Sequence, residues 1–211
     1  MIKNKNKFKW GGTHPFFLHP FLSFFTPSDL KKKVVLDVGC GKGLNGYLIR
    51  VTRDVEGSTI IGLDINKEYL SFCRTFNTYT KLVKQKLPKL PFKDKSVDFL
   101  ICTEVIEHLK KKDGERLLKE IDRVCKGRAI VSTPNILFDT LPNEFEDAHH
   151  SIWDKGDFDK LGYEVHGLGF RTSITVSDPL LRIKQALYYF FTPISYFLPQ
   201  IGGVLLCVKN Y

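Results

Sequence analysis

The chain has 211 residues, 43% apolar and 26% charged, with a formal net charge of +9 at pH 7. That length and balance suit one globular domain with a sizeable core, and exclude a disordered, collagen-like or disulfide-stapled chain. Cys40, Cys73, Cys102, Cys125 and Cys207 lack paired spacing, so neither a zinc site nor a disulfide framework is expected, and the thiols read as reduced and cytoplasmic. Much of the positive charge lies in lysine clusters, at Lys3 to Lys9, Lys31 to Lys33, Lys81 to Lys89 and Lys110 to Lys112. These are either solvated faces or an attraction to nucleic acid or an anionic membrane. Nothing at the start of the chain has a signal peptide's apolar core, and no long uncharged apolar run precedes the C-terminal region.

Residues 1–30 form an N-terminal cap segment that is lysine-rich and then aromatic, with Pro15, Pro20 and Pro27 expected to break any long helix. Trp10, His14 and Phe17 could line a pocket there; core packing at the sheet edge is the alternative. The apolar, β-branched run from Lys33 to Val38 predicts a buried strand, followed by Gly39, Gly41 and Gly43 and then helical spacing from Leu44 to Arg50. A second strand, Thr59 to Leu63, ends in Asp64, and Asn66 caps a helix from Lys67 to Phe76. Leu82 and Val83 mark a short third strand. Val97 to Cys102 is a fourth, ending in Thr103 and Glu104.

An amphipathic helix is predicted from Asp113 to Cys125, ended by Gly127, with a fifth strand from Arg128 to Val131. A long loop, 135–156, carries Asp147, His149, His150 and Trp153, and loops of that length are usually functional. A short helix at Asp157 to Leu161, a sixth strand at Tyr163 to Gly167 and a last strand at Gly203 to Val208 complete the pattern. Between the last two lies an apolar insertion, 179–200, in which Pro193 and polar breaks argue against a spanning helix. An interface-lying amphipathic helix, a substrate lid and a dimer face are all open readings of it.

Alternate glycines at a strand–helix junction let the backbone turn sharply and approach a ligand at a helix N-terminus. Asp64 lies about twenty residues further on, where nucleotide-binding folds place a ribose-binding carboxylate. Asp37, just before the glycines, would repel a diphosphate and favours a cationic, amino-acid-like group.

Together, LDVGCGKG (Leu36 to Gly43), GLDIN (Gly62 to Asn66), LPFKDKSVDFLICTEVIEHL (Leu90 to Leu109) and Ser132-Thr133-Pro134-Asn135 resemble a class I S-adenosylmethionine-dependent methyltransferase. Within that superfamily the chain resembles the small-molecule type found in ubiquinone and menaquinone biosynthesis. The resemblance implies an α/β, Rossmann-like fold: a seven-stranded, mostly parallel sheet with helices on both faces and an antiparallel last strand, in a single domain over 1–211. It implies S-adenosylmethionine as cofactor. Asp37, Gly39, Cys40, Gly41 and Gly43 would hold its methionine end, Asp64 the ribose and Ile65 the adenine, with Thr103 and Glu104 closing the site. Gln85 stands where relatives often carry an adenine-binding acid.

The acceptor expected is an O or N atom, or a C atom, of a small and lipid-like molecule, with peripheral membrane contact and nucleic acid as further partners to weigh. His150 and His149 are the candidate bases, since a histidine is poised near neutral pH to take a proton from an acceptor. No resident metal is expected. If Glu104 lies on a helix, however, Glu104, Glu107, His108 and His150 resemble the metal site of small-RNA 2′-O-methyltransferases, which makes a metal-dependent RNA enzyme one alternative. A non-catalytic, cofactor-binding relative is the other.

Overall fold

The computed structural model describes residues 15–135, 148–171 and 179–211. Its strands are β1 (Val34–Val38), β2 (Thr59–Asp64), β3 (Lys81–Lys84), β4 (Val97–Thr103), β5 (Cys125–Pro134), β6 (Glu164–Leu168) and β7 (Val204–Asn210). They form one sheet in the order β3-β2-β1-β4-β5-β7-β6. Strands β1 to β5 pair in parallel, whereas β7 runs antiparallel to both β5 and β6. The helices are α1 (Pro15–Phe25), α2 (Leu44–Thr52), α3 (Lys67–Thr75), α4 (Lys111–Val124), α5 (Lys155–Asp159) and α6 (Leu181–Phe197). This is the Rossmann-like architecture that the resemblance implies.

Successive strand residues serve opposite faces, because side chains alternate across the pleat. Leu36, Leu100 and Val131 pack with Leu117 and Ile121 of α4 and Phe158 of α5. Val35, Phe99 and Ile130 pack on the other side with Leu22 of α1, Ile49 of α2 and Leu70 of α3. A sheet covered on both faces explains why its strands read as unbroken apolar runs. From β1 the order runs one way through β2 and β3 and the other way through β4 and β5. A crevice therefore opens at the carboxyl ends of β1 and β4, where the order reverses.

Three local expectations need correction. Gly127 does not end a helix: α4 stops at Val124, and Cys125 is already extended, at φ −82° and ψ 139°. Gly127 sits inside β5 beside the register shift opposite Val97 and Phe99, and an added Cβ would fall 2.2 Å from the Asp98 carbonyl oxygen. The glycine is there for close backbone approach. Pro20 does not break the N-terminal segment, which forms an 11-residue helix around it. Burial of Leu18 and Leu22 holds that helix, while Pro20 faces solvent. The short helix expected at Asp157 to Leu161 runs instead over Lys155–Asp159, and Trp153, in the loop just before it, is 1% exposed within the core. Trp10, His14 and Asp147 lie outside the described residues.

Candidate cofactor and active site

Gly39, Gly41 and Gly43 all adopt positive φ, at 70°, 51° and 83°. At Gly39 a Cβ would stand 2.4 Å from Val105, and at Gly43 2.6 Å from Thr78, so close packing and left-handed backbone both require glycine. At Gly41 a Cβ would meet nothing within 4 Å. Its open side is the crevice. The loop is tied to the end of β2: the Gly39 and Cys40 amides donate to the Leu63 carbonyl at 2.8 and 2.9 Å. The Gly41 amide donates to Asp64 Oδ2 at 2.9 Å, while Asp64 Oδ1 accepts from the Asn66 amide at 2.8 Å. Asp64 is thus held rigidly at the strand end, with Ile65 exposed beside it. Gln85 turns its side-chain amide back onto the Lys86 carbonyl at 2.8 Å, and its backbone amide bonds the Asp64 carbonyl at 3.0 Å.

Asp37 lies beneath the loop and is 1% exposed. Its Oδ2 accepts from the Tyr79 hydroxyl at 2.5 Å, and its Oδ1 from Asn45 Nδ2 at 3.3 Å. Asn45 Nδ2 also donates to Thr103 Oγ1 at 3.2 Å, bridging the ends of β1 and β4. Neither Asn45 nor Tyr79 was prominent in the sequence. The signal for Tyr79 is a pair of glycines: a Cβ on Gly46 or Gly62 would fall 2.3 or 2.7 Å from its ring.

Burial pushes the Asp37 carboxyl up to about 7, against the hydrogen bonds from Tyr79 and Asn45. A folded value above the unfolded one stabilises the fold fully below the unfolded value of 3.8, and that contribution is lost as pH rises through 7. Stability in urea is therefore expected to fall between about pH 4 and pH 7. Asp37→Asn should flatten that slope by an amount on the order of 3 kcal/mol. An unchanged slope in the variant would mean that Asp37 does not titrate in this window.

At the end of β4, Glu104 takes φ +54°, and a single 3₁₀ turn follows at Ile106–His108. Glu104 is therefore not helical, and the shared helix face needed for its joint ligation with Glu107 and His108 does not form. Glu104 Oε1 accepts from Ser132 Oγ at 2.7 Å and Glu107 Oε2 from Thr133 Oγ1 at 3.1 Å. Burial raises the Glu104 carboxyl to about 7, and burial followed by the nearby Glu104 raises Glu107 well above its usual range.

The 148–153 segment docks onto this turn, its His150 and Ser151 amides donating to the Glu107 carbonyl at 2.7 and 3.1 Å. His150 is exposed. His149 is half-buried, its ring centroid 5.0 Å from that of His108, and burial lowers its pKa. Among the described residues, the ligand atoms of Glu107, His108 and His149 lie within 4.8 Å of one another; Glu104 and His150 are not in that group. Beside Asn45 a cavity of about 450 Å³ opens between α1 and α2, walled by Leu22, Leu44, Leu48 and Ile101.

Residues 36–132 match the family described as Methyltransferase domain. The glycine cradle, Asp64 and the β1–β4 crevice all fall within that span. Residues 36–132 form a class I S-adenosylmethionine-dependent methyltransferase domain. A "Probable S-adenosylmethionine-dependent methyltransferase" of Mycobacterium tuberculosis is 36% identical over 104 residues, 48% of this chain and 35% of that protein. The ubiquinone biosynthesis O-methyltransferase of Rickettsia bellii is 32% identical over 113 residues, 51% of this chain and 45% of that protein. The chain thus spans less than half the length of either relative. In fold, the methyltransferase domain is similar to the protein solved in complex with the Haloferax volcanii Trm112 methyltransferase activator. The TM-score is 0.64 at 19% identity, covering 90% of this chain and 86% of that one.

S-adenosylmethionine is the cofactor of this superfamily, and the residues present fit it. Gly41 leaves an open edge beside a fixed carboxylate at Asp64 that suits a ribose diol, and Ile65 offers an exposed apolar face for a base.

Proposed function

We propose that this methyltransferase domain methylates an O or N atom of a small, largely apolar acceptor. The observation that supports it most is the cavity of about 450 Å³ beside Asn45, where Leu22, Leu44, Leu48, Ile49 and Ile101 supply apolar wall and Ser23, Thr26, Thr52 and Arg53 stand at its polar part. Apolar walls with few polar groups select a lipid-like molecule and orient its one polar atom. The likeness to the Rickettsia bellii O-methyltransferase agrees with that chemistry. Bound S-adenosylmethionine supplies an electrophilic methyl carbon on a sulfonium, so the protein's work is alignment. Asp64 orients the ribose. Asp37 holds Asn45 and Tyr79 in place beneath the loop, and a cationic end bound nearby would favour its ionised form.

His149 or His150 takes the proton from the acceptor. His149 is the better placed, since its lowered pKa keeps it neutral and able to accept at pH 7. A screen of phenolic, carboxylic and amine acceptors with labelled cofactor tests this reading. We expect turnover with an apolar member, and His149→Asn to lower kcat by about a hundredfold with cofactor affinity unchanged. Turnover only with polar acceptors, or with none, would reject the reading.

A second reading is supported by one cluster. His108 Nδ1 lies 3.2 Å from the Ala148 carbonyl; a proton donated there leaves the Nε2 lone pair facing Glu107 Oε1 at 3.9 Å. That oxygen is buried and, among the described residues, has no hydrogen-bond partner. With His149 alongside, the set is one that a divalent cation would satisfy. Such a cation would favour an acceptor with a ribose diol, as in RNA. Titration with Mn²⁺ should then give heat that disappears in Glu107→Gln, and no heat from the wild type would dismiss the cation.

A further inference from the structure

One side of α6 is fastened to the sheet. Ser195 Oγ donates to the Gly167 carbonyl at 3.3 Å, and the Gly169 amide donates to Thr192 Oγ1 at 3.2 Å. Tyr188 covers Gly169, where a Cβ would collide with its ring at 1.8 Å. The other side has no cover among the described residues: Ile183, Leu187, Phe190, Ile194 and Phe197 are 59%, 40%, 71%, 44% and 80% exposed. With Tyr189 on their flank, apolar side chains occupy about half the helix circumference at 3.6 residues per turn. A surface helix in water normally carries polar residues on that half.

Helix α1 meets α6 through Phe21 and Tyr196, with ring centroids 6.5 Å apart. Neither helix contains an acidic residue. The only charged residues of α6 are Arg182 and Lys184, in its first turn.

We propose that the outward face of α6 docks this protein on an anionic bilayer surface, the helix lying in the plane of the interface. The width of the apolar arc selects the occupant. A partner helix would bury the stripe from Phe197 to Leu187, about 80° of arc, and leave Tyr189 wet. A bilayer surface solvates the whole convex arc while aromatic rings settle at the head-group boundary. Charge agrees: cations at one end of a helix free of acids, on a chain of net charge +9, suit anionic head groups. The helix does not cross, since no helix among the described residues is long and apolar enough to do so.

Docking would also serve the site. Asn135, at the end of β5, donates through Nδ2 to the Gly202 carbonyl at 3.0 Å, which ties the chain just beyond α6 to the sheet's carboxyl edge. Granted the apolar acceptor proposed above, the membrane is where that acceptor is held.

The test is co-sedimentation of the full chain with vesicles of equal parts phosphatidylcholine and phosphatidylglycerol, against phosphatidylcholine alone. We expect binding to the anionic vesicles that weakens as salt rises. In the double variant Phe190→Ser, Phe197→Ser partitioning should fall about a hundredfold. In Arg182→Glu it should fall about tenfold. Both substitutions are on the surface, and unchanged heat of S-adenosylmethionine binding shows that the fold survives. Folded protein that stays in the supernatant with both vesicle types would overturn the proposal. So would a dimer that the double variant dissolves, which assigns the face to a second copy. Docking without turnover on any apolar acceptor would sink the acceptor reading alone, and turnover without docking would sink this one alone.

Discussion

Asp64→Ala is expected to weaken S-adenosylmethionine binding about a hundredfold. Two losses combine. The side chain accepts from the Gly41 and Asn66 amides at 2.9 and 2.8 Å, so its removal frees the glycine loop from the end of β2. It also removes the carboxylate available to the ribose hydroxyls. A hydrogen bond to a charged group contributes about 1.5–3 kcal/mol, so one such bond to the ligand already accounts for tenfold or more. Asp64→Asn separates the two effects only partly, since its amide nitrogen must face one of two N–H donors. Isothermal titration of both variants, with thermal melts as a check on folding, measures the effect. Wild-type affinity in Asp64→Ala would leave Asp64 as a loop tether and remove it from the cofactor site.

Trp153→Ala is expected to cost about 3–5 kcal/mol of stability, the range for deleting a fully buried aromatic. The indole Nε1 donates to Ser151 Oγ at 2.9 Å, and Ser151 Oγ in turn to the Ile106 carbonyl at 3.2 Å. Its ring lies 5.8 Å from that of Phe158, and Lys111 Nζ sits 3.8 Å above the ring centroid. On α4, Gly114 clears space for it, since a Cβ there would stand 2.3 Å from the indole. A drop of roughly 10 °C in Tm should follow for a chain of this size. Because Trp153 anchors the segment that carries His149, turnover should fall as well, below the temperature at which the fold is lost. Trp153→Phe should recover part of the stability. A melt unchanged by Trp153→Ala would contradict the packing described.

The sheet was legible because its strands are buried on both faces and read as apolar runs ending in the glycine loop, Asp64 and Thr103. The helix at Asn66 was legible too, since its side chain accepts from the Glu68 and Tyr69 amides as a capping residue should. What escaped was decided by contacts distant in sequence. Gly127 looks like a helix terminator until the Asp98 carbonyl is placed against it. Tyr79 and Asn45 acquire roles only when β1, α2 and β4 converge on Asp37. The positive φ of Glu104 removes the helical spacing that had joined it to Glu107 and His108. The burial of Trp153 was not legible because no local pattern separates a solvated loop tryptophan from one inserted between α4 and α5.

The strand order carries a consequence for assembly. Among the described residues, strand β6 sits at the sheet edge and pairs with β7 alone, although β7 follows it in the chain. As the chain leaves the ribosome, β6 and α6 have no sheet to join until β7 has appeared and paired with β5. The order in which the edge is built is therefore the reverse of the order in which it is synthesised. Over that interval the apolar arc of α6 emerges before its inner side has anything to lie on, so a nascent chain is at its stickiest just before β7 is made.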